Sequence, residues 1–146
     1  MKPAPVDILV VDDDVGHARL VERNLRRSCL CNEIRVFNDG HSALAYLLGD
    51  ERALESPLLI LLDLNMPGLT GDQVLSRLKS EPRTRHIPVI ILTTTDAEPE
   101  MQKCYELGCN FYLTKPVQYD EFVETIRKLG LFLSVVMVPR GHASPP

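Results

Sequence analysis

Leu58-Leu59-Ile60-Leu61-Leu62-Asp63 decides the fold. The run is apolar at every position and does not alternate, which describes a strand covered on both faces at the centre of a parallel sheet. An aspartate then closes it. Upstream, Val6-Asp7-Ile8-Leu9-Val10-Val11 makes a similar strand, closed by Asp12, Asp13 and Asp14. Downstream, Pro88-Val89-Ile90-Ile91-Leu92 makes another, followed by Thr93, Thr94 and Thr95. A more polar run at 33–37 reads as an edge strand. A further strand is predicted over 110–113, with Lys115 just beyond it.

Amphipathic stretches fill the gaps. A helix is predicted over 15–28, with Leu20, Val21 and Leu25 on one face. Asn38-Asp39-Gly40 breaks the chain before a helix at 41–48 that Gly49 ends. Helices follow at 71–80, at 97–107 with Asp96 as N-cap and Gly108 as stop, and at 119–129. Residues 49–57 read as a polar connection. Strands alternating with helices give a doubly wound α/β domain with a mostly parallel five-stranded sheet.

A chain of 146 residues fits one core. No apolar run reaches the roughly 18 residues that cross a bilayer, and the first residues lack the pattern of a signal peptide. The expected setting is cytoplasmic, with no membrane partner. A net charge of -4 argues against a nucleic-acid partner, which a basic face would serve. Cys29 and Cys31 are one residue apart and Cys104 and Cys109 four apart. Neither spacing is a zinc pattern, so reduced, mostly buried thiols are expected. His17, His41, His86 and His142 are scattered and read as surface residues; Tyr46 and Tyr105 read as packing.

In an open α/β sheet, ligands sit beyond the carboxyl ends of the strands, where the strand order reverses. If the order is 2-1-3-4-5, strands one and three are neighbours there. Asp12, Asp13 and Asp63 then converge on one cleft, and strands four and five deliver Thr93 and Lys115 to it. Carboxylates crowded together repel, and a divalent cation relieves them. An all-oxygen set suits magnesium. A carboxylate beside magnesium and a lysine is well placed to receive a phosphoryl group. The plainer reading is that an Asp after a strand caps a helix and that Lys-Pro forms only a turn.

Four stretches then resemble one family in order and spacing. They are Ile8-Leu9-Val10-Val11-Asp12-Asp13, Leu61-Leu62-Asp63-Leu64-Asn65-Met66-Pro67, Pro88-Val89-Ile90-Ile91-Leu92-Thr93 and Tyr112-Leu113-Thr114-Lys115-Pro116. Together they resemble the receiver domain of two-component response regulators, over about residues 6–130. The resemblance implies a flavodoxin-like sheet in the order 2-1-3-4-5. It implies Asp63 as phosphoacceptor, with Asp13 and Asp63 as magnesium ligands, Asp12 acting through water and the Asn65 backbone carbonyl completing the metal shell. Thr93 matches the switch hydroxyl, Lys115 the lysine that pairs with the phosphoryl group, and Tyr112 the aromatic residue whose position reports the state. A cis Lys115–Pro116 peptide is also implied. Asp14 has no fixed family role and reads as a first-turn cap. Thr94 departs from the family's small residue, which puts the phosphoryl lifetime in question. Asn65 and Thr95 occupy the two variable flanking positions, and neither is charged.

A closer resemblance is to the stand-alone regulators paired with phytochrome histidine kinases. It rests on residues 63–67 and 78–82, on Leu92-Thr93-Thr94-Thr95, on 109–117 and on an apolar segment after the last helix. It implies a sensor histidine kinase as partner, a phytochrome among the candidates, and no output domain. The receiver is expected over residues 1–130, and an apolar then Pro-rich extension over 131–146. Residues 129–138 are apolar beyond what a five-helix receiver needs, and β-branched in their second half. They fold back on the domain, or they join a homodimer through the fourth helix, fifth strand and fifth helix; the homodimer is the expectation. Two competing functions are weaker. Phosphohydrolases with an aspartyl-phosphate resemble an Asp-x-Asp pattern, and here the second position is Asn65, which transfers no proton. A receiver-like scaffold that takes no phosphate would lack an acceptor residue, and none is missing.

Overall fold

The computed structural model describes residues 6–28, 31–115, 120, 121 and 124. Five parallel strands form one sheet: β1 (Val6–Val11), β2 (Cys31–Phe37), β3 (Leu58–Leu62), β4 (Val89–Thr93) and β5 (Phe111–Thr114). Their order is β2-β1-β3-β4-β5, the expected one. Four helices lie between them: α1 (Val15–Ser28), α2 (Gly40–Gly49), α3 (Gly71–Ser80) and α4 (Glu98–Leu107). A short 3-10 turn at Glu51–Leu54 interrupts the polar connection before β3.

The central strands are buried throughout, because each face carries a helix layer. Leu9, Ile60, Leu62 and Ile91 point to one side and pack with Leu47 of α2, Val74, Leu75 and Leu78 of α3 and Cys104 of α4. Ile8, Val10, Leu59, Leu61 and Ile90 point to the other side, against Ala18, Val21 and Leu25 of α1. The period-two alternation of a strand thus feeds two cores at once. Asp7 pairs with Leu58 and Val11 with Leu62, so β1 and β3 end level and Asp12 and Asp63 leave the sheet side by side.

Several boundaries differ from the sequence reading. Leu20 is 51% exposed; the buried stripe is Ala18, Val21 and Leu25, the three- and four-residue spacing of an α-helix. The N-cap of α4 is Ala97, without a side-chain bond, rather than Asp96. Pro99, which has no amide hydrogen to satisfy, sits in the first turn and spares that end one donor. β4 begins one residue after Pro88 and includes Thr93. β5 runs one residue later than expected; Asn110, just before it, gives its N–H to the Val89 carbonyl at 2.8 Å and receives the Val89 N–H on its side chain at 2.9 Å. Tyr105 is 48% exposed rather than packed. Tyr46 does pack, with Phe37 at 5.4 Å between centroids and Arg35 over its ring. Gly108 stops α4 in the left-handed region, with φ of 109°.

Among the described residues no helix is long and apolar enough to cross a membrane. Cys104 and Cys109 are buried free thiols, as expected. The fifth helix, the Lys115–Pro116 peptide, the apolar segment at 129–138, Cys29 and His142 lie outside the described residues, apart from Asp120, Glu121 and Glu124, which are helical.

Candidate functional site

Three strand ends converge as the topology requires. Asp12 follows β1, its N–H bonded to the Phe37 carbonyl at 3.0 Å; Asp63 follows β3, its N–H bonded to the Val11 carbonyl at 3.0 Å. Carboxylate oxygens of Asp12, Asp13 and Asp63 all lie within 4.8 Å of one another. Asp12 and Asp63 are buried, 3% and 6% exposed, and Asp13 is the more open of the three. Lys115, anchored by its N–H on the Thr93 carbonyl at 2.7 Å, reaches back into the cluster. Its Nζ is 3.0 Å from Asp12 Oδ2 and 3.6 Å from Asp63 Oδ2.

The two buried acids differ in their chemistry. Burial raises the Asp12 carboxyl, but donors from His17, the Asp14 amide and Lys115 outweigh it and hold the group below its ordinary range. Burial also leads at Asp63. There Lys115 pulls down, Asp12 and Asp13 push up, and the Asn65 amide, at a long 3.4 Å, gives little relief, so the carboxyl stands above its ordinary range. Of the two buried acids, Asp63 is the less satisfied by protein donors, and the Lys115 ammonium that serves Asp12 stands within 3.6 Å of it as well. The three acids supply only oxygens, the donor set a hard divalent cation takes, so the residues fit magnesium.

A second network runs along the ends of β4 and β5. The Asn65 amide donates to Thr93 Oγ1 at 3.2 Å and to Thr95 Oγ1 at 2.9 Å. The Tyr112 hydroxyl donates to the Thr95 carbonyl at 2.6 Å, with the ring 7% exposed and the phenol pushed up to about 12 by burial. Thr93 is fully buried and Thr94 is exposed beside it. All seven residues singled out in the sequence, Asp12, Asp13, Asp63, Asn65, Thr93, Tyr112 and Lys115, therefore come to one end of the sheet.

Asp14 does what a first-turn cap does: its Oδ1 accepts the His17 N–H at 3.0 Å. The reading of His17 as a surface histidine fails. Its Nδ1 lies 2.7 Å from Asp12 Oδ2, and its side chain is only 16% exposed. The signal was present in the sequence. With Asp14 as cap, His17 is the third residue of the first turn, and helical side chains lean toward the amino end, where Asp12 sits. His41 and His86 are exposed as expected. Asn38 also escaped the sequence reading; it donates to the Asp12 carbonyl at 3.0 Å and fixes the loop that carries the acids.

Comparison with known proteins agrees with this geometry. The profile of the response regulator receiver domain matches residues 8–127. The chain belongs to the response-regulator receiver family. It is 36% identical over 138 residues to Response regulator Rcp1 of Synechocystis, covering 92% of this chain and 94% of that protein. The Mn2+-bound form of Rcp1 superposes with a TM-score of 0.72 at 35% identity, covering 91% of this chain and 97% of the other. A receiver domain from Rhodospirillum rubrum superposes with a TM-score of 0.75 at 51% identity, covering 90% and 96%. The phosphorylated cyanobacterial phytochrome response regulator RcpA superposes with a TM-score of 0.74 at 34% identity, covering 88% and 94%. The receiver assignment places the protein among two-component signalling components, which are switches rather than turnover enzymes.

Proposed function

We propose that Asp63 accepts a phosphoryl group from the phosphohistidine of a sensor histidine kinase. The observation that carries this reading is the position of Asp63: an under-satisfied carboxylate in a three-acid cluster, 3.6 Å from the Lys115 ammonium. A carboxylate oxygen of Asp63 forms the new bond to phosphorus as the bond to the imidazole nitrogen breaks, and the imidazole leaves with that electron pair. Asp13, Asp63 and the Asn65 carbonyl would hold magnesium directly, and Asp12 through water. When bound, the ion supplies charge neutralisation at the phosphoryl oxygens.

Lys115 neutralises a second oxygen, and Thr93 offers its hydroxyl to a third. Thr93 Oγ1 accepts from the Asn65 side-chain amide, so its own hydrogen is free to donate. A shift of the hydroxyl toward the phosphoryl group would draw it away from Asn65, which also holds Thr95, whose carbonyl receives the Tyr112 hydroxyl. That hydrogen-bond chain is the route by which the state of Asp63 reaches the surface beside α4 and β5. Residues 1–130 form this receiver in our reading, and 131–146 an extension. The signal leaves by protein contact or onward phosphotransfer.

Likeness to a cyanobacterial phytochrome response regulator supports a phytochrome-type kinase as the partner. A homodimer through α4, β5, the fifth helix and residues 129–138 fits the apolar surplus of that segment. A monomer at tens of micromolar by equilibrium sedimentation, with and without a phosphoryl mimic, would sink the dimer.

Incubation with acetyl phosphate and magnesium, followed by intact-mass measurement, tests the core reading. A single phosphoryl adduct is expected, stable in acid, lost in alkali and absent from Asp63→Asn. No adduct with acetyl phosphate or phosphoramidate favours a scaffold that takes no phosphate.

A further inference from the structure

Lys115 has two claims on it. It is 3.0 Å from Asp12 and 3.6 Å from Asp63, and the proposed chemistry needs it at Asp63. Moving it there takes a donor from Asp12 Oδ2, an oxygen of a side chain only 4% exposed, and water has little room to replace that donor. The other oxygen of Asp12 is already engaged by the Asp14 amide at 2.9 Å. His17 Nδ1 lies 2.7 Å from that same Oδ2, closer than the lysine. An ionised carboxylate only accepts, so Nδ1 carries the hydrogen and donates.

We propose that His17 is a positioning residue that frees Lys115 for the phosphoryl group, by keeping Asp12 Oδ2 hydrogen-bonded when the lysine turns to Asp63. The inference rests on the proposed phosphoryl acceptance at Asp63. It assigns His17 no contact with phosphate or metal. Without His17, Lys115 is the last side-chain donor of Asp12 Oδ2 among the described residues, and drawing it away leaves that buried oxygen with no donor from the protein. An ion that arrives while Lys115 stays on Asp12 still finds Oδ2 held by a side-chain donor, and Asp12 meets that ion only through water. The effect therefore falls on phosphoryl capture and spares magnesium affinity.

Beryllofluoride, a phosphoryl analogue, reads this directly. Its affinity for the full chain at saturating magnesium would be followed by fluorine NMR, and magnesium affinity alone by calorimetry. His17→Ala is expected to bind beryllofluoride about tenfold more weakly, the cost of one hydrogen bond to a charged group, with magnesium affinity unchanged. His17→Asn puts an amide N–H where Nδ1 stood and is expected to restore the wild-type value. In an Asp12→Asn background, His17→Ala is expected to add nothing. Wild-type beryllofluoride affinity in His17→Ala overturns the inference. So does a parallel loss of magnesium affinity, a failure of His17→Asn to rescue, or an undiminished loss in the Asp12→Asn background. A wild-type chain that binds no beryllofluoride in magnesium instead brings down the phosphoryl-acceptor reading, and the role of His17 with it.

Discussion

Gly71 leaves no room between its own Cα and the main chain of Asp63. A side-chain carbon at position 71 would strike the Asp63 carbonyl oxygen and come within 2.7 Å of the Leu64 Cα. The Gly71 N–H, meanwhile, is bonded to the Leu64 carbonyl at 2.9 Å. The first residue of α3 is thus pressed against the loop that carries the central acid.

Gly71→Ala is expected to cost about 1–3 kcal/mol, the usual range for overpacking, because the atoms met are backbone and cannot rotate away. It should also slow adduct formation at Asp63. Urea denaturation and intact-mass time courses measure the two effects. Gly49→Ala, with nothing within 4 Å of the added carbon, is the matched control and is expected to be neutral or slightly stabilising.

Asp63→Asn is expected to stabilise the metal-free protein. Burial raises the Asp63 carboxyl above its unfolded value of 3.8, so the native state holds its proton more tightly than the unfolded state does. Wild-type stability then falls as pH rises from the unfolded value through the raised folded one. Above that window the full penalty is present, and Asn does not pay it. The gap between the two urea midpoints should be largest at neutral pH and should close below the unfolded value. Equal midpoints at neutral pH in the presence of a chelator would refute this.

Tyr112→Phe removes the 2.6 Å bond to the Thr95 carbonyl and keeps the buried ring. A loss of about 1 kcal/mol is expected, the scale of a single neutral hydrogen bond. Since the chain has no tryptophan, its emission comes from four tyrosines, of which Tyr112 is, among the described residues, the one beside the site residues Thr93 and Asn65. The emission change on adding beryllofluoride and magnesium should shrink in the variant.

Cys104 and Cys109 are expected to resist alkylation in the native protein. Burial pushes their thiols up to about 11 and about 12. At pH 8 the Cys104 thiolate fraction is then on the order of one in a thousand, and the thiolate is the reactive form. Iodoacetamide followed by peptide mapping should mark both only after urea is added; native labelling of either would contradict the packing.

The central frame was readable because its strands are apolar at nearly every position, β3 at all five. Val6–Val11 and Leu58–Leu62 begin and end where the sequence placed them, since a strand buried on both faces is apolar almost throughout, Asp7 near the start of β1 being the one polar residue in the two runs. Asp12, Asp13, Asp63, Thr93 and Lys115 were legible because they stand at or just past the ends of strand runs, whereas Asn65 and Tyr112 were found only through the resemblance to receiver domains. Boundaries set by single hydrogen bonds were not legible. At Asn110 a side-chain oxygen, not a main-chain one, receives the Val89 amide, and no periodicity carries that information. His17 was missed because a lone histidine on an amphipathic helix is usually solvated. Its partner is fixed by the lean of a side chain in the first turn, which pattern reading ignores. Gly71 was passed over as the start of a helix, although only the fold reveals what its missing Cβ avoids.

The 3-10 turn at Glu51–Leu54 has a practical use. It enters β3 at the amino end, and Asp63 stands at the carboxyl end, so the length of the strand, roughly 16 Å, separates the turn from the acids. Glu51 and Arg52 are exposed, while Ala53 is buried and Leu54 packs against the core. A reporter domain spliced between Glu51 and Arg52 would therefore ride on the pole of the molecule that takes no part in the chemistry. Such a fusion could carry a light-emitting or pull-down label into a cell while leaving both the acid cleft and the α4–β5 surface open to their partners.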